Sequence, residues 1–428
     1  MILLSSALRK IRRRYIVGAV ALAAGCGGDG TSPPSNTVPA IGSVEIPQPN
    51  AALTIGQTMQ LDAVVRSTSG TIIAASVAWQ SNDPSIVQVS VTGLATAVAP
   101  GTATVTAAAT NATTTSPVSG STTVSVATPN LLARRAHAMT FDAGRRRVLL
   151  FGGIGPLVPG GVVNDQSSTW AFDGTRWSLV SLGATGLASR NSTTMAYDQG
   201  RDVSVVFGGR SGTAPNAPAY GDTWELSGTT WTQRAPGGPA ARSHATSAFD
   251  PAAQRVILIG GIDPATLDNF SDQWEWSGQA WTRTPNVTAP TAGTFGGALV
   301  ADEHGALYLM LSRESDRRVV VYTAAGGAWQ LRDASGAPTA SAFAVARAPG
   351  GGVLLFGGAT DAGVVGDSWL WNGSTWTRLN VAGPPARTGH AMAYDVVRNR
   401  IVLYGGESAT QAFADTWEFD GSAWRQVP

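Results

Sequence analysis

The chain has one cysteine, one lysine and four histidines in 428 residues, and only 13% of it is charged. A single cysteine, Cys26, excludes an internal disulfide. Lys10 is the only lysine and sits in a basic N-terminal cluster with Arg9, Arg12, Arg13 and Arg14. The rest of the protein therefore has neither a Schiff-base lysine nor a phosphate-loop lysine. Beyond residue 25, 24 arginines face 28 Asp and Glu, a balance of −4. Without a basic stripe to displace counterions, nucleic acid is not an expected partner. Long apolar runs at 3.6-residue spacing are also missing, whereas Gly (51), Ser, Thr, Val and Trp (14) abound. That combination argues for an all-β protein of short strands and many turns.

The stretch "RKIRRRYIVGAVALAAGC" sets a basic region before the mostly apolar Tyr15 to Ala24. Residues 1–25 thus have the layout of a secretion signal, too short to span a membrane as a helix. Cys26 follows Ala23, Ala24 and Gly25 directly. This stretch resembles the lipobox of bacterial lipoproteins, with the usual Leu one step early at Leu22. The resemblance implies a diacylglycerol on the Cys26 thiol and a membrane as partner through that lipid. It also implies a place in the bacterial cell envelope, at the outer membrane or cell surface, since Gly27 rather than Asp follows the cysteine. Residues 26–39, "CGGDGTSPPSNTVP", have almost nothing to bury and read as a flexible tether.

Over residues 40–127, short alternating segments are punctuated by Gly, Pro, Asn and Asp: "GSVEI", "QTMQLDAVV", "SVAWQS", "IVQVS", "TATVTAAA" and "STTVSVA". Their spacing predicts a small β-sandwich. The run from "LTIGQTMQLDAVV" to "GLATAVAPGTATVTA" resembles the group 2 bacterial immunoglobulin-like domain. The resemblance implies Trp79 as core tryptophan and a stalk first, a binding module second.

From residue 128 to 428 one phrase recurs six times. Its aromatic pairs are Trp170 and Trp177, Trp224 and Trp231, Trp274 and Trp281, Tyr322 and Trp329, Trp369 and Trp376, Trp417 and Trp424, always seven apart. The residue four after the first aromatic is always Gly, the signature of a hairpin turn. Upstream stand Arg134, Arg190, Arg242 and Arg387, each eight before an Asp, followed by apolar segments such as "RVLLF" that end in glycine doublets. Each repeat therefore predicts four strands, the second buried on both faces. A repeat this short cannot bury its own faces and must stack on its neighbours. The doublets and spaced aromatics resemble kelch repeats. The resemblance implies a six-bladed β-propeller, with blades at about 134–182, 190–236, 242–285, 294–333, 339–381 and 387–428. Each blade's second Trp would then wedge between blades.

The recurring Arg, Asp, Gly and Trp read as structural. His137 and His390 share one repeat position and would meet once the ring closes, offering two metal ligands. The corresponding residues Thr193, Ala245, Gly297 and Ala342 supply no third, so no metal and no cofactor is expected. Galactose oxidase carries a kelch propeller, but its Cys–Tyr copper site has no counterpart here. The "FDGTRW" copies lack the full sialidase Asp-box spacing. Tyr220, Phe270 and Phe413 each stand four before a blade's first Trp, at the end of a variable loop. They either stack on sugars, anchor a partner or pack beneath their own loops. Arg313, Arg317 and Arg318 fall in "SRESDRR", a charged departure from the repeat that reads as a solvated loop or a partner contact. The expected function is non-catalytic recognition of a glycan or envelope protein. The alternative is an envelope polysaccharide hydrolase or lyase using loop carboxylates.

Overall fold

The computed structural model describes residues 38–155, 166–214, 217–234, 237–263, 265–285, 287, 289–290, 297–302, 304–325, 328–332 and 336–427. The signal segment, Cys26, most of the tether and residues 156–165 of the first long loop lie outside them. The described residues are all-β, with no helix. They divide into two compact units, one of residues up to Val124 and one of Ser125–Pro428, the latter also taking Ala52–Thr58 and Thr96–Thr102.

The N-terminal unit is a sandwich of short sheets. Ala51–Thr54, Val118–Ala127, Gly101–Thr110 and Ser76–Ser81 lie side by side in one. Thr58–Gln60, Leu94–Ala97 and Val87–Val89 form a second, and Ile41–Glu45 pairs with Val64–Ser67. The segment "QTMQLDAVV", expected as one strand, is two strands in different sheets. It breaks at Leu61 and Asp62, where Leu61 is buried and its N–H bonds the Gly93 carbonyl at 2.9 Å. Trp79 is half-buried against Gly93 rather than central. Leu61, Val87, Val105, Val124 and a row of alanines fill the core, small residues that let the two layers approach without a disulfide.

The second unit contains six four-stranded antiparallel sheets, each a simple meander of consecutive strands and numbered one to six here in chain order. Their first strands are Ala138–Asp142, Thr194–Asp198, Thr246–Asp250, Gly297–Ala301, Ala344–Arg347 and Ala391–Asp395. Second strands such as Arg147–Phe151 and Arg400–Tyr404 are buried on both faces from their second residue on, as continuous apolar runs require. The hairpins into the fourth strands turn on Gly174, Gly228, Gly278, Gly373 and Gly421, all at positive φ. Sheet five adds a small hairpin, Ala359–Thr360 with Gly363–Val364, between its second and third strands.

The glycine doublets explain how one sheet meets the next. Their residues have φ of 62–71° and then 89–104°, and a Cβ on Gly152, Gly208, Gly357 or Gly405 would lie 2.5–2.7 Å from the carbonyl oxygen of an arginine in the following sheet. The second glycine donates its N–H to that carbonyl: Gly153 to Arg190, Gly209 to Arg242, Gly358 to Arg387. The same bond runs from Gly406 in sheet six back to Arg134 in sheet one, at 2.8 Å. First strands of consecutive sheets lie side by side, and that of sheet six lies beside that of sheet one. Tyr404 Oη adds bonds to the Leu131 and Leu132 carbonyls, tying the lead-in segment to sheet six.

Five of the six fourth-strand tryptophans reach back to the preceding sheet and donate Nε1 to the first residue of its third strand. Trp231 bonds Thr169, Trp281 bonds Thr223, Trp329 bonds Gln273, Trp424 bonds Ser368 and Trp177 bonds Thr416, at 2.8–3.0 Å. Trp376 breaks the series: its Nε1 is buried without an acceptor among the described residues, because the corresponding residue of sheet four is Val321, fully buried and apolar. A Val321→Thr substitution supplies the acceptor. It is expected to raise unfolding free energy by about 1 kcal/mol, the net worth of a satisfied buried hydrogen bond. Urea unfolding of V321T beside V321A, which adds no acceptor, checks it.

Candidate functional site

The antiparallel registers bring three consecutive residues of every first strand to one cavity of about 580 Å³. The first tier is Met139, Met195, Ser247, Leu299, Val345 and Met392, and the second is Thr140, Ala196, Ala248, Val300, Ala346 and Ala393. The third tier is Phe141, Tyr197, Phe249, Ala301, Arg347 and Tyr394. Residues of the following turns, among them Gln199, Asp302 and His304, complete the wall next to that third tier. A cavity of this size, lined by polar and apolar surface in similar measure, suits a small ligand or the end of a larger one.

The third tier carries the chemistry. Tyr197 Oη donates to Asp202 at 2.5 Å and accepts from the Gly144 N–H at 2.9 Å. Burial, reinforced by Asp202, pushes its pKa up to about 12, so it stays a neutral phenol. Tyr394 Oη bonds Asn399 at 2.7 Å, and the Arg347 guanidinium lies 5.2 Å from the Tyr394 ring centroid. Arg347 makes no ion pair among the described residues, and its Nε is buried without a hydrogen-bond partner. An unneutralised guanidinium beside aromatic faces is a recognition element for an anionic group.

The residues expected to carry recognition are placed elsewhere. Tyr220, Phe270 and Phe413 each stack over an arginine, with the guanidinium carbons of Arg190, Arg242 and Arg387 at 4.2, 3.8 and 4.1 Å from the ring centroids. Those arginines are buried and grip Asp222, Asp272 and Asp415 through two bonds each. The same carboxylates accept Nε1 of Trp224, Trp274 and Trp417 at 2.7–2.8 Å. One face of each of the three rings is therefore already occupied. Sheet one has Ser168 at the aspartate position, and burial brings the Arg134 pKa down to about 10. Arg313 pairs with Asp316, the Arg318 N–H bonds the same carboxylate, and Arg317 meets Asp361 at 3.2 Å. This cluster is largely closed on itself.

His137 and His390 occupy the corresponding place in sheets one and six, both buried. His137 packs edge-on to Tyr404 and His390 to Phe356, at 5.8 and 5.5 Å. All four of their ring nitrogens are buried without a hydrogen-bond partner among the described residues. No cluster of three His, Cys, Asp or Glu able to hold a metal occurs among the described residues. The registers also correct one equivalence: in sheet five the counterpart of these histidines is Phe343, and Ala342 takes the positive-φ place of Gly389. The tier of Phe141, Tyr197, Phe249 and Tyr394 escaped sequence reasoning, although each stands immediately before the recurring aspartate of its repeat.

The profile of one protein family matches the N-terminal unit. Residues 40–119 are a bacterial Ig-like domain of group 2. No curated protein matches the chain. Among solved structures, that of YjhT has a TM-score of 0.53 at 13% identity, over 69% of this chain and 98% of that one. The likeness is one of fold. Domains 4 and 5 of the S-layer protein SbsC, at 18% identity over 21% of this chain and 53% of that one, have a TM-score of only 0.18. The Ig-like domain is a type typical of exported and surface proteins, and no helix among the described residues is long and apolar enough to cross a membrane.

Proposed function

We propose that the protein is an exported, lipid-anchored binding protein of the bacterial cell envelope. In this reading Cys26 carries the lipid, residues 26–39 are the tether and the Ig-like domain is a stalk. Residues 128–428 form a closed six-bladed kelch-type β-propeller that binds a glycan without catalysis. Support for closure comes from the Gly406–Arg134 and Trp177–Thr416 bonds, which repeat between sheets six and one what joins sheets one and two, two and three, and five and six. The observation that carries the binding reading is the third tier of the cavity, with four aromatic rings and one unneutralised arginine. Aromatic faces suit the apolar faces of sugar rings, and Arg347 favours a sugar bearing a carboxylate, sulfate or phosphate.

The test is a glycan array probed with the purified full chain, followed by titration of the strongest ligand. Acidic glycans are expected to bind saturably and remain unprocessed. Arg347→Ala is expected to weaken binding about tenfold or more, the loss of a charge-assisted contact, with little change in melting temperature. Release of shorter products would favour the polysaccharide-processing enzyme instead, and absence of any saturable ligand would overturn recognition.

A further inference from the structure

Sheets two, three and six share an acidic pair: an aspartate closing the first strand and a glutamate on the third, Asp198 with Glu225, Asp250 with Glu275, Asp395 with Glu418. In two of them an arginine three residues after the aspartate lies between the carboxylates. Arg201 gives Nε to Asp198 at 2.8 Å and Nη1 to Glu225 at 2.5 Å. Arg398 bridges Asp395 and Glu418 in the same way. A second arginine joins each glutamate, Arg234 in sheet two and Arg425 in sheet six. An aromatic ring from the next sheet closes the space: Trp276, whose Nε1 bonds Glu225, and Phe172 beneath Arg398.

Sheet three keeps both acids and loses everything that neutralises them. Ala253 stands where Arg201 and Arg398 stand, shown by the same N–H bond to the aspartate at 3.1 Å. Thr284 and Thr282 replace the positions of Arg234 and Arg425. Ala324 of sheet four replaces Trp276 and Phe172. The result is a pocket of about 270 Å³ at the seam of sheets three and four, walled by Asp250, Glu275, Gln273, Thr284 and Trp329. Ala324 and Ala328 at its rim are exposed, so it opens to solvent.

Neither carboxylate has a cation among the described residues. Asp250 accepts the N–H groups of Ala252 and Ala253, and Glu275 accepts the Thr284 hydroxyl at 3.2 Å. Arg255, opposite Asp250 in register, forms no ion pair with it. We propose that this seam is a binding site for a guanidinium cation from outside the sheet, held between Asp250 and Glu275 as Arg201 is held between Asp198 and Glu225. Two facing carboxylates match the fork of a guanidinium, and the Trp329 indole provides a wall suited to a cation. Calcium fits less well: it takes six to eight oxygens, whereas the Gln273 carbonyl is already engaged by Trp329 Nε1. The inference is independent of the glycan reading, since this pocket and the six-strand cavity share no wall residue.

The experiment uses the purified full chain, titrated calorimetrically with methylguanidinium, L-arginine, an arginine-containing pentapeptide and calcium chloride. Saturable binding of methylguanidinium is expected. A tighter fit for the free amino acid points to a small-molecule source, and a tighter fit for the peptide points to a partner's side chain. Glu275→Gln is expected to weaken binding about tenfold or more, as loss of a charge-assisted bond does. Ala253→Arg restores the internal guanidinium and is expected to abolish binding while raising the melting temperature. No saturation with methylguanidinium, binding that both variants leave intact, or a preference for calcium would each overturn the proposal.

Discussion

Arg387→Ala is expected to lower the unfolding free energy by about 3–5 kcal/mol, the usual cost of leaving one member of a buried ion pair behind. The Arg387 side chain is fully buried. It donates to the Pro385 and Gly405 carbonyls and, twice, to Asp415, under the Phe413 ring. Removing it strands a carboxylate, two carbonyl oxygens and an aromatic face together. Burial works to raise the Asp415 pKa, but hydrogen bonds from Arg387 and Trp417 outweigh it and hold the group below its ordinary value. That stabilisation is complete above the unfolded-state pKa near 3.8 and is lost as pH falls through the lower folded value. Without Arg387 the balance inverts and Asp415 takes up a proton more readily. The deficit of the variant is therefore expected to narrow on acidification. Urea unfolding at pH 7 and pH 4 measures both effects. Arg378→Ala, which breaks a pair with 62% and 38% of its side chains exposed, is the comparison and is expected to cost far less, because solvent screens the pair. Equal losses for the two variants would contradict the clamp.

The second large effect is acid destabilisation through His137 and His390. Burial, then the nearby Arg387 charge, brings the His390 pKa down to about 3. Burial, Arg134 and His390 hold His137 well below its ordinary value. Both pKa values are depressed on folding, so the unfolded chain binds protons first and stability rises with pH across the window between folded and unfolded values. The full contribution is present above about pH 6.5, the ordinary histidine value. Between pH 6.5 and 4, His390 alone is expected to cost the native state about 3 kcal/mol, at about 1.4 kcal/mol per pH unit. His137 adds to it with the same sign. Replacing both with phenylalanine, which already occupies the position in sheet five as Phe343, is expected to flatten that slope. Parallel stability–pH curves for the wild type and the double variant would refute the assignment.

Much of the six-sheet unit was legible because its signals are local. A glycine four after an aromatic needs only its own hairpin to turn, and four or five consecutive apolar residues need only neighbours on both sides. The two departures in the Ig-like domain arose where local pattern and tertiary demand disagree. "QTMQLDAVV" alternates like one strand, yet Leu61 must enter the core while Asp62 bonds Gln48. Trp79 fits the pattern of a core residue, but a layer built largely on alanine leaves no room for an indole at its centre. The displacement of Ala342 by Phe343 has a similar origin, since sheet five has Ala340 in place of the arginine from which sheets one, two, three and six are counted.

The candidate site was less legible, for a geometric reason. Its third tier draws one side chain from each of six strands, spaced 46–56 residues apart in the chain, and only the packing of the first strands side by side makes them neighbours. The aromatic residues at loop ends were more conspicuous in the sequence, yet three of them cover buried arginines. The acidic pocket of sheet three is not legible in the sequence, because it depends on an alanine in place of an arginine in sheet three, Ala253, and an alanine in place of an aromatic ring in sheet four, Ala324.

By itself the sequence determined the all-β class, the two-part organisation, the number of four-stranded sheets and the hairpin turns between their last two strands. Each of these is fixed by contacts within a few dozen residues. Tertiary structure alone decided which polar groups are satisfied and which are not, leaving Arg347 without a counterion and Asp250 and Glu275 without a cation among the described residues. Charge neutralisation in this fold is completed across seams between sheets, so it depends on side chains that only packing brings within reach.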